Sequence, residues 1–218
     1  MRNVISNTDT TVSPPIGTVV DMSTQDIIDL TEAWARMWNE DSSLSHDLMT
    51  DDCVQWWGSG PDLDSVVGPV EQESFVTAAR AKTGNVFVPR LYVTDTDTYA
   101  YLWDVTSRDG TVMSGVDVNV LQGNRIRENW TFVGPYRDEP DPAPGDALDR
   151  DTMATLATEW AEKLGYSVHR HLVIDETSAR TALLRTMSDG VGGVDLLTVR
   201  NGRVEPIWSV TAVRGFRY

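Results

Sequence analysis

Apolar residues recur at helical spacing from Ile27 through Leu30 and Trp34 to Trp38, which predicts a helix that starts at the Ser23-Thr24 cap and runs to about Glu40. A second, short helix is expected within Leu44–Thr50. The run Cys53-Val-Gln-Trp-Trp57 reads as a strand that ends at Gly58-Ser-Gly-Pro61. Pro69 suits the first turn of a helix to about Lys82, closed by Gly84. Beyond that point the period changes. Val86–Thr94 and Thr98–Thr106 alternate around the turn composition Asp95-Thr-Asp97, and Thr111–Gln122 and Arg125–Val133 meet at Gly123-Asn124, so four antiparallel strands are predicted. The acidic, Pro-rich segment Asp138–Gly145 reads as a linker or an extended strap. Met153, Leu156, Ala157, Trp160, Ala161 and Leu164 then mark one face of a further helix.

The pattern repeats itself. Gly115-Val-Asp-Val-Asn-Val-Leu-Gln-Gly-Asn-Arg-Ile-Arg-Glu-Asn-Trp130 reappears as Gly193-Val-Asp-Leu-Leu-Thr-Val-Arg-Asn-Gly-Arg-Val-Glu-Pro-Ile-Trp208, and Arg90-Leu-Tyr-Val-Thr-Asp95 answers to Arg170-His-Leu-Val-Ile-Asp175. A supersecondary unit of about seventy residues is duplicated. The expected organisation is a polar tail over 1–22, a first domain over 23–137, a linker over 138–150, and a truncated repeat over 151–218 that packs on the first domain.

Composition narrows the function. The 218 residues are 40% hydrophobic, enough to bury a core, and the formal charge is −15, with Lys82 and Lys163 the only lysines among 18 basic residues. So acidic a surface repels phosphate backbones and anionic lipid, which argues against nucleic-acid and membrane-surface partners. The single cysteine, Cys53, excludes an internal disulfide framework, and no run of apolar residues is long enough to span a bilayer, so a soluble, cytoplasmic protein is expected.

Ala33-Trp-Ala-Arg-Met-Trp-Asn39, Val67-Gly68-Pro69 and Gly123-Asn-Arg-Ile-Arg-Glu-Asn-Trp130, in this order and spacing over roughly residues 24–136, resemble the SnoaL-like branch of the nuclear-transport-factor-2-like superfamily. The resemblance implies an α+β cone, with helices packed on a curved antiparallel sheet, followed here by a second, truncated copy of one helix and four antiparallel strands. It also implies that the uncovered sheet of the second copy packs on the first, as two cones pair in dimers of this family. The result is an intramolecular pseudo-dimer, alone or within a homodimer. By the same resemblance, Asp117 falls where ketosteroid isomerases carry an acid and SnoaL-type cyclases a histidine, and Trp34 falls at an oxyanion-binding position. The isomerase base would fall at about Trp57, the cyclase and epoxide-hydrolase aspartate at Thr131, and the hydrolase Arg-x-Asp at Leu102-Trp103-Asp104, so none of those three chemistries transfers intact.

If Gly123-Asn124 is a two-residue turn, period-two alternation sets Leu121 opposite Ile126, Asn119 opposite Glu128 and Asp117 opposite Trp130 on one sheet face. The Asn201-Gly202 turn sets Asp195 opposite Trp208 in the same manner. A β-bulge near Asn129 would shift the partner of Asp117 to Thr131. Asp117 is then either a pocket acid supported by Asn119 and Glu128, its pKa raised by burial, or a structural acceptor for the Trp130 indole. Trp34, Trp38, Trp57, Tyr92, Tyr101, Trp103 and Trp130 are candidates to line a cavity for a flat apolar ligand. His169 and His171 share a strand face but lack a third ligand at a convincing spacing, so no metal is expected, and no organic cofactor. Cys53 is expected to be a buried thiol, and Arg90, matched by Arg170, part of a repeated ion pair. Two function classes follow. One is a cofactor-independent acid/base enzyme of cyclase, isomerase or hydrolase type, acting on a small apolar ring-bearing metabolite such as a polyketide or terpenoid intermediate. The other is a non-catalytic ligand-binding or protein-assembly module.

Overall fold

The first helix, α1 (Thr24–Asn39), forms where its cap and its apolar face agree. Ser23 Oγ accepts the Asp26 N–H at 3.2 Å while the Asp26 carboxylate accepts the Ser23 N–H at 2.9 Å, and Ile27, Leu30, Trp34, Ala35 and Met37 are buried. The computed structural model describes residues 22–57, 64–168, 172–186 and 192–211. All but Met22 of the expected tail over 1–22, the Gly58–Pro61 turn and the His169/His171 pair lie outside the described residues. A single 3-10 turn (Ser42–Leu44) and α2 (Ser45–Leu48) lead into β1 (Met49–Trp57), β2 (Asp64–Val67) and α3 (Gly68–Thr83). Pro69 lies in the first turn of α3, and Gly84, at φ 60°, ends it in the left-handed region that a side chain would oppose.

Four long strands follow: β3 (Val86–Thr94), β4 (Thr98–Thr106), β5 (Val112–Gln122) and β6 (Arg125–Pro135). They join the first hairpin in a six-stranded sheet of order β2-β1-β6-β5-β4-β3, antiparallel throughout except where β1 runs parallel to β6. One face of this sheet is covered by α1 and α3. There Ile27, Trp34, Met37 and Val76 meet Tyr99, Tyr101, Trp103, Leu121 and Ile126. Asn39 ties the end of α1 to the sheet edge, because its Nδ2 donates to the Phe87 carbonyl and its Oδ1 accepts the Phe87 N–H, both at 2.8 Å.

The second copy comprises α4 (Arg150–Lys163), β7 (Ser167–Val168), β8 (Val173–Asp175), β9 (Arg180–Thr186), β10 (Gly192–Arg200) and β11 (Arg203–Thr211). Its strands run β11-β10-β9-β7, with β8 also on β9, so the expected four strands become five because residues 167–175 pair as two short pieces. α4 covers one face through Ala157, Ala161, Leu183 and Leu197. The opposite face, with Leu184, Val194, Leu196, Ile207 and Trp208, packs on the outer face of the first sheet against Leu102, Val116, Val118, Trp130 and Phe132 in one buried cluster. The contact is reciprocal in kind. Asp95 accepts the Ile174 N–H at 3.0 Å, and its counterpart Asp175 faces the Thr94 N–H at 3.5 Å.

Residues 138–149 form an extended strap without regular structure, held by arginines. Arg90 donates to the carbonyls of Arg137 and Glu139, Arg137 to those of Glu139, Pro140 and Ile207, Arg180 to that of Pro142, and Arg200 to that of Ala143. Arg90 also bridges Asp104 and Asp141, each at 2.8 Å. No helix among the described residues is long and apolar enough to cross a membrane.

Candidate functional site

Alternation along β5 turns Gly115, Asp117 and Asn119 toward the helices, and the neighbouring strands add Tyr101 and Trp103 from β4 and Asn129, Thr131 and Val133 from β6. Between these strands and the helices lies a cavity of about 130 Å³. Trp34, Ala35 and Trp38 of α1 and Phe75 of α3 form its roof. Gln55 and Trp57 of β1 and Phe87 and Pro89 of β3 close its sides. Gly115 makes room for this arrangement, since a Cβ there would stand 2.2 Å from Trp103 Cζ2. The indole of Trp103 therefore lies across β5 and reaches Asp117.

Asp117 is 3% exposed and is the only acidic side chain among the described residues lining the cavity. Its Oδ1 accepts the Trp103 indole N–H at 2.9 Å, and its Oδ2 accepts the Tyr101 hydroxyl at 2.8 Å and the Asn129 amide at 3.1 Å. Burial pushes the carboxyl above the ordinary aspartate range, and the hydrogen bonds from Trp103, Tyr101 and Asn129 oppose that rise without cancelling it. Burial beside Asp117 also lifts the Tyr101 phenol well above its usual value. The relay continues away from Asp117. Asn129 donates to Asn119 Oδ1 at 2.8 Å, Thr131 donates to Asn129 Oδ1 at 2.8 Å, and Gln55 Nε2 donates to Thr131 at 3.1 Å.

Of the residues singled out in the sequence, Trp34, Trp38, Trp57, Tyr101, Trp103 and Asp117 line the cavity. Glu128 and Trp130 do not. A bulge between Val120 and Leu121 leaves Arg127 unpaired, so Leu121 faces Ile126 but Val120 faces Glu128, Val118 faces Trp130 and Asp117 faces Thr131. Beyond the bulge every side chain changes face. Glu128 and Trp130 therefore point to the second copy, where the indole donates to Glu128 Oε1 at 3.1 Å and stacks on Trp56 at 5.4 Å. Asn119 is buried behind the cavity and supports Asn129 without lining the space. Tyr92 stacks on Tyr101 at 6.4 Å, likewise off the cavity wall.

The register of the second copy also slips, but two residues away, between Leu196 and Leu197, where Ile207 is the residue left unpaired. Asp195 faces Ser209 instead of Trp208, and Trp208 donates its indole N–H to the Pro135 carbonyl at 3.1 Å. The partner of Asp195 is Arg185, whose Nε lies 2.9 Å from Oδ2, and whose guanidinium lies over Gly193 and 4.0 Å from the Tyr166 ring centroid. Arg185 stands to Gly193 and Asp195 as Trp103 stands to Gly115 and Asp117.

Reasoning from the sequence missed Gln55, Phe75, Phe87, Pro89 and Asn129, whereas Thr131 stands opposite Asp117, as the bulged alternative required. Gln55 was within reach, since it shares strand parity with Cys53 and Trp57. Cys53 is buried, and its thiol is pushed up to about 12, mainly by burial, which leaves it inert as a nucleophile. Among the described residues no cluster of three or more His, Cys, Asp or Glu side chains could hold a metal.

No protein-family model matches the chain, and no curated protein does. Solved structures are similar to it. A putative polyketide cyclase from Sinorhizobium meliloti is 16% identical over 51% of this chain and 100% of its own, with a TM-score of 0.44. An NTF2-like protein of unknown function from Mesorhizobium loti is 19% identical over 53% and 96%, with a TM-score of 0.46. A hypothetical protein with a ketosteroid-isomerase-like fold from Catenulispora acidiphila, in complex with trimethylamine, is 10% identical over 48% and 84%, with a TM-score of 0.44. The chain is α+β, and each of these three likenesses covers about half of it.

Proposed function

We propose that the cavity binds a small, single-ring metabolite and that Asp117 accepts a proton from it and returns it, in a cofactor-independent acid/base reaction of the isomerase or cyclase kind. The observation that carries this reading is Asp117 itself, a buried carboxylate set in an aromatic wall with its pKa raised toward the range where a base works. Size supports the single ring, because an apolar cavity of roughly 150 Å³ accommodates benzene and this one is about 130 Å³. A polyketide or terpenoid intermediate would enter as a monocycle, with its substituents directed to the mouth.

The three donors on Asp117 hold the carboxylate oriented while it is ionised, and they take up part of the charge that burial penalises. Tyr101 lends its proton to Asp117, which leaves the phenol oxygen as an acceptor. A second reading, a binding module without turnover, is favoured by one observation. Glu128, the expected second acid, faces the other side of the sheet, so among the described residues the cavity holds a base and no paired acid beside it. Proton exchange separates the two. In deuterium oxide, a panel of single-ring ketones with and without an amino substituent should exchange α-protons in the presence of the protein, and Asp117→Asn should abolish the exchange while binding persists. Binding without exchange in the wild type would favour the module.

A further inference from the structure

The internal repeat supplies a comparison that bears on what the cavity accepts. In the second copy the buried Asp195 carboxylate is matched by the Arg185 guanidinium at 2.9 Å. In the first copy Trp103 takes the place of that arginine, and no Lys, Arg or His side chain among the described residues lines the cavity. Asp117 is hydrogen-bonded but unmatched in charge. Around it Trp57, Phe75, Trp38, Phe87 and Trp103 form an unbroken chain of ring contacts, with successive centroids 5.0, 5.7, 5.2 and 5.2 Å apart. Each ring face carries the negative side of its quadrupole.

The polar atoms point the same way. Because the Asn129 amide must donate to Asp117, its oxygen turns to Thr131, so the Thr131 hydroxyl donates to it and Gln55 must donate its N–H to Thr131. That direction leaves Gln55 Oε1 as the uncommitted end. It is buried, it belongs to a side chain in the cavity wall, and no donor among the described residues reaches it. The wall thus presents a carboxylate and a carbonyl oxygen, both acceptors, within an aromatic cage.

The geometry points to an organic cation as the ligand: a protonated amine carried on a single ring, its charge set against Asp117, its N–H given to Gln55 Oε1 and its alkyl surface held by the tryptophans. The inference rests on the reading of this cavity as a ligand site and names the class of ligand for it. The chain's −15 formal charge would concentrate such cations near the mouth.

Titration of the full chain with benzylammonium, benzyl alcohol and benzoate, followed by tryptophan fluorescence and calorimetry, tests it. Benzylammonium should bind at least about tenfold tighter than its neutral isostere, and benzoate should not bind measurably. Asp117→Asn should bring the two ligands to within about twofold of each other. Gln55→Met should weaken benzylammonium several-fold and leave benzyltrimethylammonium, which has no N–H, unchanged. If Asp117→Asn does not fold, the wild-type comparison and Gln55→Met still decide. Equal or tighter binding of benzyl alcohol overturns the cation and leaves the cavity reading intact. Binding of none of these probes rejects both.

Discussion

Replacing Asp117 by asparagine and, separately, Asp195 by asparagine perturbs two carboxylates that hold corresponding places in the repeat but different environments. In Asp117→Asn the amide oxygen can keep the Tyr101 and Asn129 donors, which leaves the new NH2 facing the Trp103 N–H. One buried donor loses its acceptor, a loss of about 1–3 kcal/mol, or roughly 2–12 °C in Tm for a chain of this size, and removal of a buried charge offsets part of it. In Asp195→Asn the Arg185 guanidinium, 4% exposed, keeps its charge without a counter-ion. Breaking a buried pair from one side costs about 3–5 kcal/mol, or roughly 6–20 °C. The second variant should therefore melt well below the first. The pH dependence of the Asp117 contribution also differs in sign from that of a surface ion pair. Burial raises the folded pKa of Asp117 above its reference of 3.8, so its contribution is complete below that value and is lost as pH rises through the folded pKa. The stability gap between wild type and Asp117→Asn should narrow from acid to neutral pH. Urea unfolding of all three proteins at several pH values checks both claims. Equal losses in the two variants, or a gap that widens with pH, would refute the reasoning.

Gly115→Ala should displace the Trp103 indole, because the new Cβ would stand 2.2 Å from Cζ2 and 2.6 Å from the Phe132 carbonyl oxygen; near-UV circular dichroism should change and stability fall by about 1–3 kcal/mol. Cys53, fully buried with its thiol at about 12, should react with a thiol reagent only at the rate of unfolding, and burst labelling of the native protein would contradict that. A fragment ending at residue 137 would expose Leu102, Val116, Val118, Trp130 and Phe132, so aggregation or a large loss of thermal stability is expected, and a soluble fragment with cooperative melting would show that the first unit needs no second sheet.

The helices and strands were legible because each carries its own punctuation: Ser23 before α1, Pro69 and Gly84 around α3, and Gly123-Asn124 between β5 and β6. The aromatic wall was legible in part, since Trp34 and Trp38 lie one turn apart and Tyr101 and Trp103 two residues apart. The facing of Glu128 and Trp130 was not. It depends on a single extra residue, Arg127, whose side chain says nothing about being skipped, and a one-residue slip sends every later side chain to the opposite face. Phe75 was hidden for another reason. α3 has no clear apolar stripe, so nothing local distinguishes the face that meets β1 from the face in solvent. The salt bridge of Asp195 escaped because its partner comes from β9, a strand whose pairing follows from the hairpin that joins it to β10 and not from the Asn201-Gly202 turn.

The reciprocal contact of Asp95 with Ile174 and of Asp175 with Thr94 has a consequence in mass action. Two identical chains that cover each other's sheets lose that cover on dilution, so their folded fraction depends on how much protein is present. Here both halves of the sheet contact belong to one chain, joined by a strap whose carbonyls are clamped by Arg90, Arg137, Arg180 and Arg200. Docking is unimolecular, and the concentration of one half felt by the other is set by the strap's length and not by expression level. The buried cluster that backs the cavity wall then survives dilution, and a rare protein keeps the same cavity as an abundant one.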